Sequence, residues 1–255
     1  MRRRFFVDAF EAGSATLRGE AAHHLGRVLR AEAGQLYELS DGQRVWLART
    51  ELVGRDEVQF TLIEALPAPA APARIELLLA IVKFDRFEWA LEKATELGAE
   101  EITPLAAERS EKGLITAAAK RAERWKRILA ESAQQARRLR IPALKEAAKP
   151  RGAFRASAAP IKLLLSERAG AKPLRELLEP VVSAHRKEIA AQARGEDDAA
   201  RVAIAIGPEG GWTDGEFAAA GDCGFQEAAL GANILRTETA VCAALAAVQY
   251  AFGGG

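Results

Sequence analysis

The chain has 255 residues, 49% hydrophobic and 28% charged, with a formal net charge of +1 at pH 7. That composition excludes a disordered or fibrous chain, and the apolar runs are far too short to span a bilayer. The segment Met1-Arg2-Arg3-Arg4-Phe5-Phe6-Val7-Asp8 reaches an acid before any signal-like apolar stretch forms, so a cytoplasmic location without a membrane partner is expected.

Residues 1–66 carry short alternating segments at 35–39, 44–48 and 57–63, separated by Asp41-Gly42 and Gly54-Arg55-Asp56. This spacing predicts a small antiparallel β domain. Within it, residues 20–30 predict a short amphipathic helix that buries Leu25, Val28 and Leu29 and exposes His23, His24, Arg27 and Arg30. No carboxylate or nucleophile motif lies beside the histidines, so they fit phosphate or base contact, or a plain surface helix, better than catalysis. The segment 66–73 places three prolines among alanines, which neither pair in a sheet nor continue a helix. It marks a boundary between domains at 1–70 and 71–255.

Beyond it, strands alternate with helices. The apolar run 75–82 reads as a strand buried on both faces of a parallel sheet. A helix follows, with Asp85 as its cap, Glu88 three residues on, and Gly98 just past its end. Residues 102–105 read as a strand and 117–138 as a long basic helix stopped by Ile141-Pro142. A strand at 161–165 leads to Ser166-Glu167-Arg168, a helix spans 173–194, and the polar loop 195–198 precedes a strand at 202–206. Thr213 and Glu216 form a capping box, and the final helix at 237–252 is apolar enough to be buried. The fold class is therefore α/β with a parallel sheet, preceded by a small β domain.

Charge is unevenly spread: residues 108–140 hold ten Lys/Arg against four Asp/Glu, and residues 201–255 hold two against six. The basic run suits either a solvated helix face or contact with a phosphate backbone. Cys223 and Cys242 lack metal-ligand spacing, and no metal site is expected. A dinucleotide glycine fingerprint, a phosphate-binding Gly-Lys-Ser/Thr loop and a Gly-x-Ser-x-Gly elbow are all missing from the sequence. Open α/β sheets bind ligands outside the carboxyl ends of their strands. Three loops meet that condition, at Ser166-Glu167, 207–212 and 230–236.

Ile206-Gly207-Pro208-Glu209-Gly210-Gly211-Trp212-Thr213, followed by Leu230-Gly231-Ala232-Asn233-Ile234-Leu235-Arg236-Thr237-Glu238-Thr239-Ala240, resembles the paired signature of the bacterial 16S rRNA uridine N3-methyltransferases. These form a branch of the SPOUT methyltransferases. His23-His24-Leu25 with Val28-Leu29-Arg30 is similar to that family's N-terminal PUA-like RNA-binding domain. The stretch 92–98, Glu108-Arg109-Ser110, Arg124-Trp125 through Gln135, and 138–142 resemble its middle segments. The resemblance implies a trefoil-knotted SPOUT domain with a parallel sheet, a PUA-like β-barrel, a homodimer, and 16S rRNA of the small ribosomal subunit as substrate. It also implies S-adenosylmethionine as methyl donor, held by Leu165, Ser166, Glu167, Ile206, Gly207, Pro208, Glu209, Gly210, Gly211, Trp212, Leu230, Gly231, Ile234, Leu235, Arg236, Thr237, Thr239 and Ala240.

Uridine N3 must lose its proton to become a good nucleophile, and negative charge then develops on the flanking carbonyl oxygens. Arg236 is the candidate for stabilising that charge, and Glu238 or Glu209 for orienting it or accepting the proton. Arg2, Arg4, His24, Arg27, Arg30, Arg109 and Arg138 are the candidate RNA contacts. Asn233 stands where the family often has a basic residue, Arg137 where a small one is common, and 173–198 reads as a peripheral insertion. Two other readings share these loops: a SPOUT enzyme acting on another RNA site or a ribose 2′-oxygen, and a non-catalytic RNA-binding assembly factor.

Overall fold

The computed structural model describes residues 3–68, 71–191 and 199–253, so Arg2 and the loop 195–198 lie outside the described residues. Contacts divide the chain into two units: Met1–Pro69 with Ala130–Ile141, and Ala70–Leu129 with Pro142–Gly255.

The first unit holds β1 (Arg4–Phe6), β2 (Phe10–Glu11), β3 (Ser14–Arg18), α1 (Gly19–His23), a π-helical turn (His24–Val28), β4 (Leu36–Ser40), β5 (Val45–Val53) and β6 (Glu57–Leu66). The strands form one curled sheet in the order β1-β4-β5-β6-β3-β2, antiparallel except for the β1–β4 pair. Register shifts at Leu47/Ala48 and Thr50/Leu52 act as bulges, which bend a strand and increase its twist. Phe5, Leu17, Leu25, Leu39, Val58 and Phe60 pack together as its core. The expected helix over 20–30 is instead one short α-helix running into a π-helical turn, and Val28 is 62% exposed rather than buried.

Residues 130–141 join this unit through backbone groups that only a folded chain brings near. Leu139 O accepts from the Ser40 hydroxyl at 2.7 Å, and Arg140 donates to Gly42 O. Arg4 donates to Arg137 O at 2.5 Å.

The second unit contains β7 (Ala73–Ala80), α2 (Phe84–Glu96), β8 (Ala99–Leu105), α3 (Lys112–Gln135) up to Leu129, β9 (Ala143–Leu144), α4 (Pro150–Ala156), β10 (Ile161–Leu165), β11 (Lys172–Pro173), α5 (Leu174–Ala191), β12 (Ala200–Ile206), α6 (Asp214–Asp222), β13 (Gln226–Ala229) and α7 (Thr237–Gly253). Its seven strands are all parallel, in the order β11-β13-β10-β12-β7-β8-β9. Side chains of a strand alternate between faces. Leu77, Leu79, Val202, Ile204 and Ile206 therefore face one core with Phe87, Leu91, Trp125, Val241 and Leu245. Leu78, Ala80, Ala203 and Ala205 face another with Phe154, Trp212 and Phe225.

Several boundaries differ from the sequence expectation. The helix after β7 starts at Phe84 with Lys83 at its cap position, so Asp85 sits in the first turn, where its charge still favours the helix start. Glu88 makes no capping box; it holds Arg124 at 2.9 Å and Arg121 at 3.4 Å on α3. The long helix runs over Lys112–Gln135 rather than 117–138, and Arg137, at φ 51°, is in a conformation no helix accepts. The segment 173–198 is not peripheral in its described part, because Leu174, Leu178 and Val182 of α5 belong to the main core. Burial pushes the Cys242 thiol up in pKa, which leaves it a weak nucleophile. Among the described residues, no helix is long and apolar enough to cross a membrane.

Phe87 packs against Trp125 with ring centroids 4.7 Å apart at the centre of the larger core. Phe87→Ala is expected to lower the unfolding free energy by about 3–5 kcal/mol, read from urea denaturation.

Candidate active site

β13, β10 and β12 are consecutive in the sheet and point the same way, so their carboxyl ends lie in one row. The loops leaving them enclose a cavity of about 1010 Å³. Local chemistry fixes each loop. Gly211, at φ 71°, closes a turn in which its N–H donates to Pro208 O at 2.8 Å. The Trp212 indole lies over Gly207, where a Cβ would sit 3.0 Å from the ring, and its Nε1–H donates to Leu165 O at 3.1 Å. One side chain thus ties the β12 loop to the end of β10. Thr213 and Glu216 form the capping box of α6. The Thr237 hydroxyl donates to Gly207 O at 3.1 Å, joining the start of α7 to the same turn. Ser166 donates its backbone N–H to Ala228 O at 3.0 Å and its hydroxyl to Glu227 at 2.8 Å.

Four arginines line the cavity, and their engagements differ. Arg109 donates to Gly210 O at 2.8 Å. Arg168 reaches Asp214 at 2.5 Å and Glu227 at 3.7 Å while lying 4.0 Å over the Phe217 ring. Arg86, on the first turn of α2, pairs with Glu209 and lies 3.9 Å from Glu238. Arg236 is exposed at the cavity, and its guanidinium has no hydrogen-bond or ion-pair partner among the described residues. A cation without a partner keeps its full capacity to meet developing negative charge.

Of the residues expected at a cofactor site, Leu165, Ser166, Glu167, Ile206, Gly207, Pro208, Glu209, Gly210, Gly211, Trp212, Leu230, Gly231, Ile234, Leu235, Arg236, Thr237 and Ala240 line this one cavity. Thr239 and Glu238 do not, because successive residues of a helix point in directions about 100° apart. Gly207 is glycine because the space a Cβ would take belongs to the Trp212 ring. The sequence list lacked Arg86, Arg168, Asp214, Phe217, Ala228, Ala229 and Asn233, which also line the cavity. For Arg86 the available signal was its place just past the carboxyl end of β7, but its use required knowing that β7 lies beside β12.

Residues 69–249 match the RNA methyltransferase domain family. The chain belongs to the RNA methyltransferase family. Among its relatives is the ribosomal RNA small subunit methyltransferase E of Synechocystis, 32% identical, in a match covering 92% of this chain and 73% of the relative. The protein of the same name from Bacillus subtilis is 28% identical, with 97% and 96% covered. A putative methyltransferase from Legionella pneumophila, solved in complex with S-adenosylmethionine, superposes with a TM-score of 0.81 at 30% identity over 98% of each chain. The ribosomal RNA small subunit methyltransferase E of Neisseria gonorrhoeae, solved bound to S-adenosylmethionine, gives 0.80 at 28% identity over 98% of this chain and 97% of that one. The likeness spans both units, the α/β unit with its parallel sheet and the N-terminal curled sheet.

In this member of the RNA methyltransferase family, the basic residues singled out for RNA contact are not equivalent. Arg27 and Arg30 are exposed, His24 is half-buried in the π-helical turn, and Arg30 holds a φ of 52°. Arg138 is half-buried. Arg109 serves the cavity through Gly210. Arg4 is a correction: it is 6% exposed, its Nε and Nη2 donate to Glu38 at 3.1 and 2.9 Å, and no RNA can reach it. The guanidinium is buried because β1 pairs with β4 and sets Arg4 opposite Glu38. Among the described residues, no group of His, Cys, Asp or Glu is arranged to hold a metal ion.

Arg137 also lies 3.6 Å from Glu38, so loss of Arg4 leaves that carboxylate partly compensated. Arg4→Ala is expected to destabilise the fold by about 2 kcal/mol, below the cost of stripping a buried charge of every partner, in a thermal or urea melt.

Proposed function

We propose that this protein transfers a methyl group from S-adenosylmethionine to N3 of a uridine in 16S rRNA of the small ribosomal subunit, and that it works as a homodimer. The observation that carries the reading is the meeting of three strand-end loops at one cavity whose rim holds the unpaired Arg236. The names of the relatives and the S-adenosylmethionine in two solved neighbours support it. Trp89 on α2 and Tyr250 on α7, exposed on two helices that pack together, supply the kind of apolar surface that a second copy covers.

The residues present fit an adenosyl group. Leu165, Ile206, Leu230 and Leu235 offer apolar walls for a purine, and backbone groups of the turn 207–212 and of residues 230–235 lie beside them as donors and acceptors. Glu167, exposed at the cavity and without a partner among the described residues, suits hydroxyl groups. When bound, S-adenosylmethionine supplies an electrophilic methyl on a sulfonium leaving group.

The chain supplies the remainder. Its loops hold donor and acceptor in line, converting an encounter into a unimolecular step. Arg236 meets the negative charge that grows on the uracil carbonyl oxygens. Glu209, the carboxylate of the two candidates that lines the cavity, accepts the N3 proton. Exposed Arg27 and Arg30 hold RNA through phosphates rather than bases.

Nucleoside mass spectrometry of small-subunit RNA from cells with and without the protein should show 3-methyluridine only in the former; a missing 2′-O-methyl nucleoside instead would overturn the base assignment. Arg236→Ala is expected to lower kcat by about 100-fold, with affinity for S-adenosylmethionine and RNA nearly kept. RNA affinity itself should fall by at least tenfold between 50 and 200 mM salt, read by filter binding.

A further inference from the structure

Arg86 lies on α2, yet its side chain reaches the two carboxylates that flank the cavity loops. It pairs with Glu209, the acid of the glycine turn after β12, and its Nε lies 3.9 Å from Glu238 in the first turn of α7. Glu238 Oε2 is fully buried and has no hydrogen-bond partner; Arg86 Nε lies 3.9 Å from the other oxygen, Oε1, and Arg86 is the cation within ion-pair distance of this carboxylate among the described residues. A buried carboxylate oxygen left without a donor is costly, and a guanidinium alongside offsets that cost. The geometry points to Arg86 as a positioning residue: it staples the glycine turn to the start of α7, and so holds Arg236, two residues before Glu238, in place over the cavity.

The roles of the two acids then separate. Glu238 does not line the cavity and serves as the anchor of Arg86, whereas Glu209 presents its carboxylate at the cavity while Arg86 restrains it. The Thr237 hydroxyl bond to Gly207 O runs between the same two segments, so Arg86 acts on a junction already closed by one hydrogen bond. Loss of Arg86 loosens that junction without unmaking it. The inference rests on the reading of this cavity as the methyl-transfer site, and its test has one readout that does not need turnover.

Arg86→Gln, Arg86→Lys, Glu238→Gln and the double variant Arg86→Gln/Glu238→Gln are compared with the full-length protein. Hydrogen exchange of segments 207–212 and 230–237 should rise in Arg86→Gln and Glu238→Gln, and less in Arg86→Lys. With unmethylated small subunits as substrate, kcat should fall by tenfold to about a hundredfold in Arg86→Gln, while KM for the RNA stays within about threefold. Arg86→Lys should recover a large part of kcat, and the double variant should be no slower than Arg86→Gln, since the two residues act as one unit. Unchanged exchange in both segments, an equal change in Arg86→Lys, or losses that multiply in the double variant would overturn the staple. Should Arg86→Gln fail to fold, Glu238→Gln and Arg86→Lys carry the same comparison. A wild-type protein that methylates nothing, with the exchange pattern intact, refutes the functional reading and leaves the staple standing.

Discussion

A strand sealed on both faces can offer chemistry only at its ends, and the larger unit is built of such strands. β7 and β12 lie side by side in the middle of a seven-stranded parallel sheet, with Leu77 and Ile204 facing one core and Leu78 and Ala203 the other. From Leu77 to Ala80 and from Val202 to Ile206 every side chain is committed to packing, so reactive groups are displaced to where the chain turns away. Because the strands are parallel, those turns fall along one edge, which is the reason open α/β sheets bind ligands there. The cavity follows from the sheet.

Loops at such an edge have no ladder to hold them, and here a few specific side chains do it. Trp212 fills the space over Gly207 and donates to Leu165 O, so an aromatic from the turn itself carries one wall of the cavity. Thr237 closes the opposite side by donating to Gly207 O. The same economy governs charge. Arg168 is held by Asp214 and Glu227, Arg109 by a backbone carbonyl and Arg86 by two carboxylates, which leaves Arg236 as the unpaired guanidinium among the described cavity residues. Three fixed cations stiffen the rim, and the free one faces whatever enters.

Patterns with a local cause were legible in the sequence. The run 75–82 and the segment 202–206 showed buried strands because both faces demand apolar side chains, and Thr213 with Glu216 announced a helix start that the capping box realises. The glycine turn and the loop before α7 were visible as strand-to-helix junctions. What stayed hidden depends on contacts distant in the chain. Arg4 reads as one more base in a basic N-terminus until β1 pairs with β4 and brings Glu38 to it. Residues 130–138 continue a helical pattern, and nothing local says that Ser40 and Gly42 will bind the segment that follows. Two-residue strands such as β9 and β11 are too short for any alternation to register.

The sequence Arg236-Thr237-Glu238 shows most sharply why adjacency misleads. As a string it reads as a cation and an acid placed for one substrate, with a hydroxyl between them for the cofactor. Arg236 precedes the helix and Thr237 opens it, and along a helix neighbouring side chains diverge by about 100°, so the three make different contacts. Arg236 and Thr237 both line the cavity, Thr237 with its hydroxyl bonded to Gly207, whereas Glu238 turns toward Arg86 on α2. The candidate acid that does share the cavity with Arg236 comes from another loop, at Glu209, and reaches it because β12 and β13 end on either side of β10. Proximity along the chain thus supplied the scaffold of the site, and proximity across the sheet supplied its chemistry.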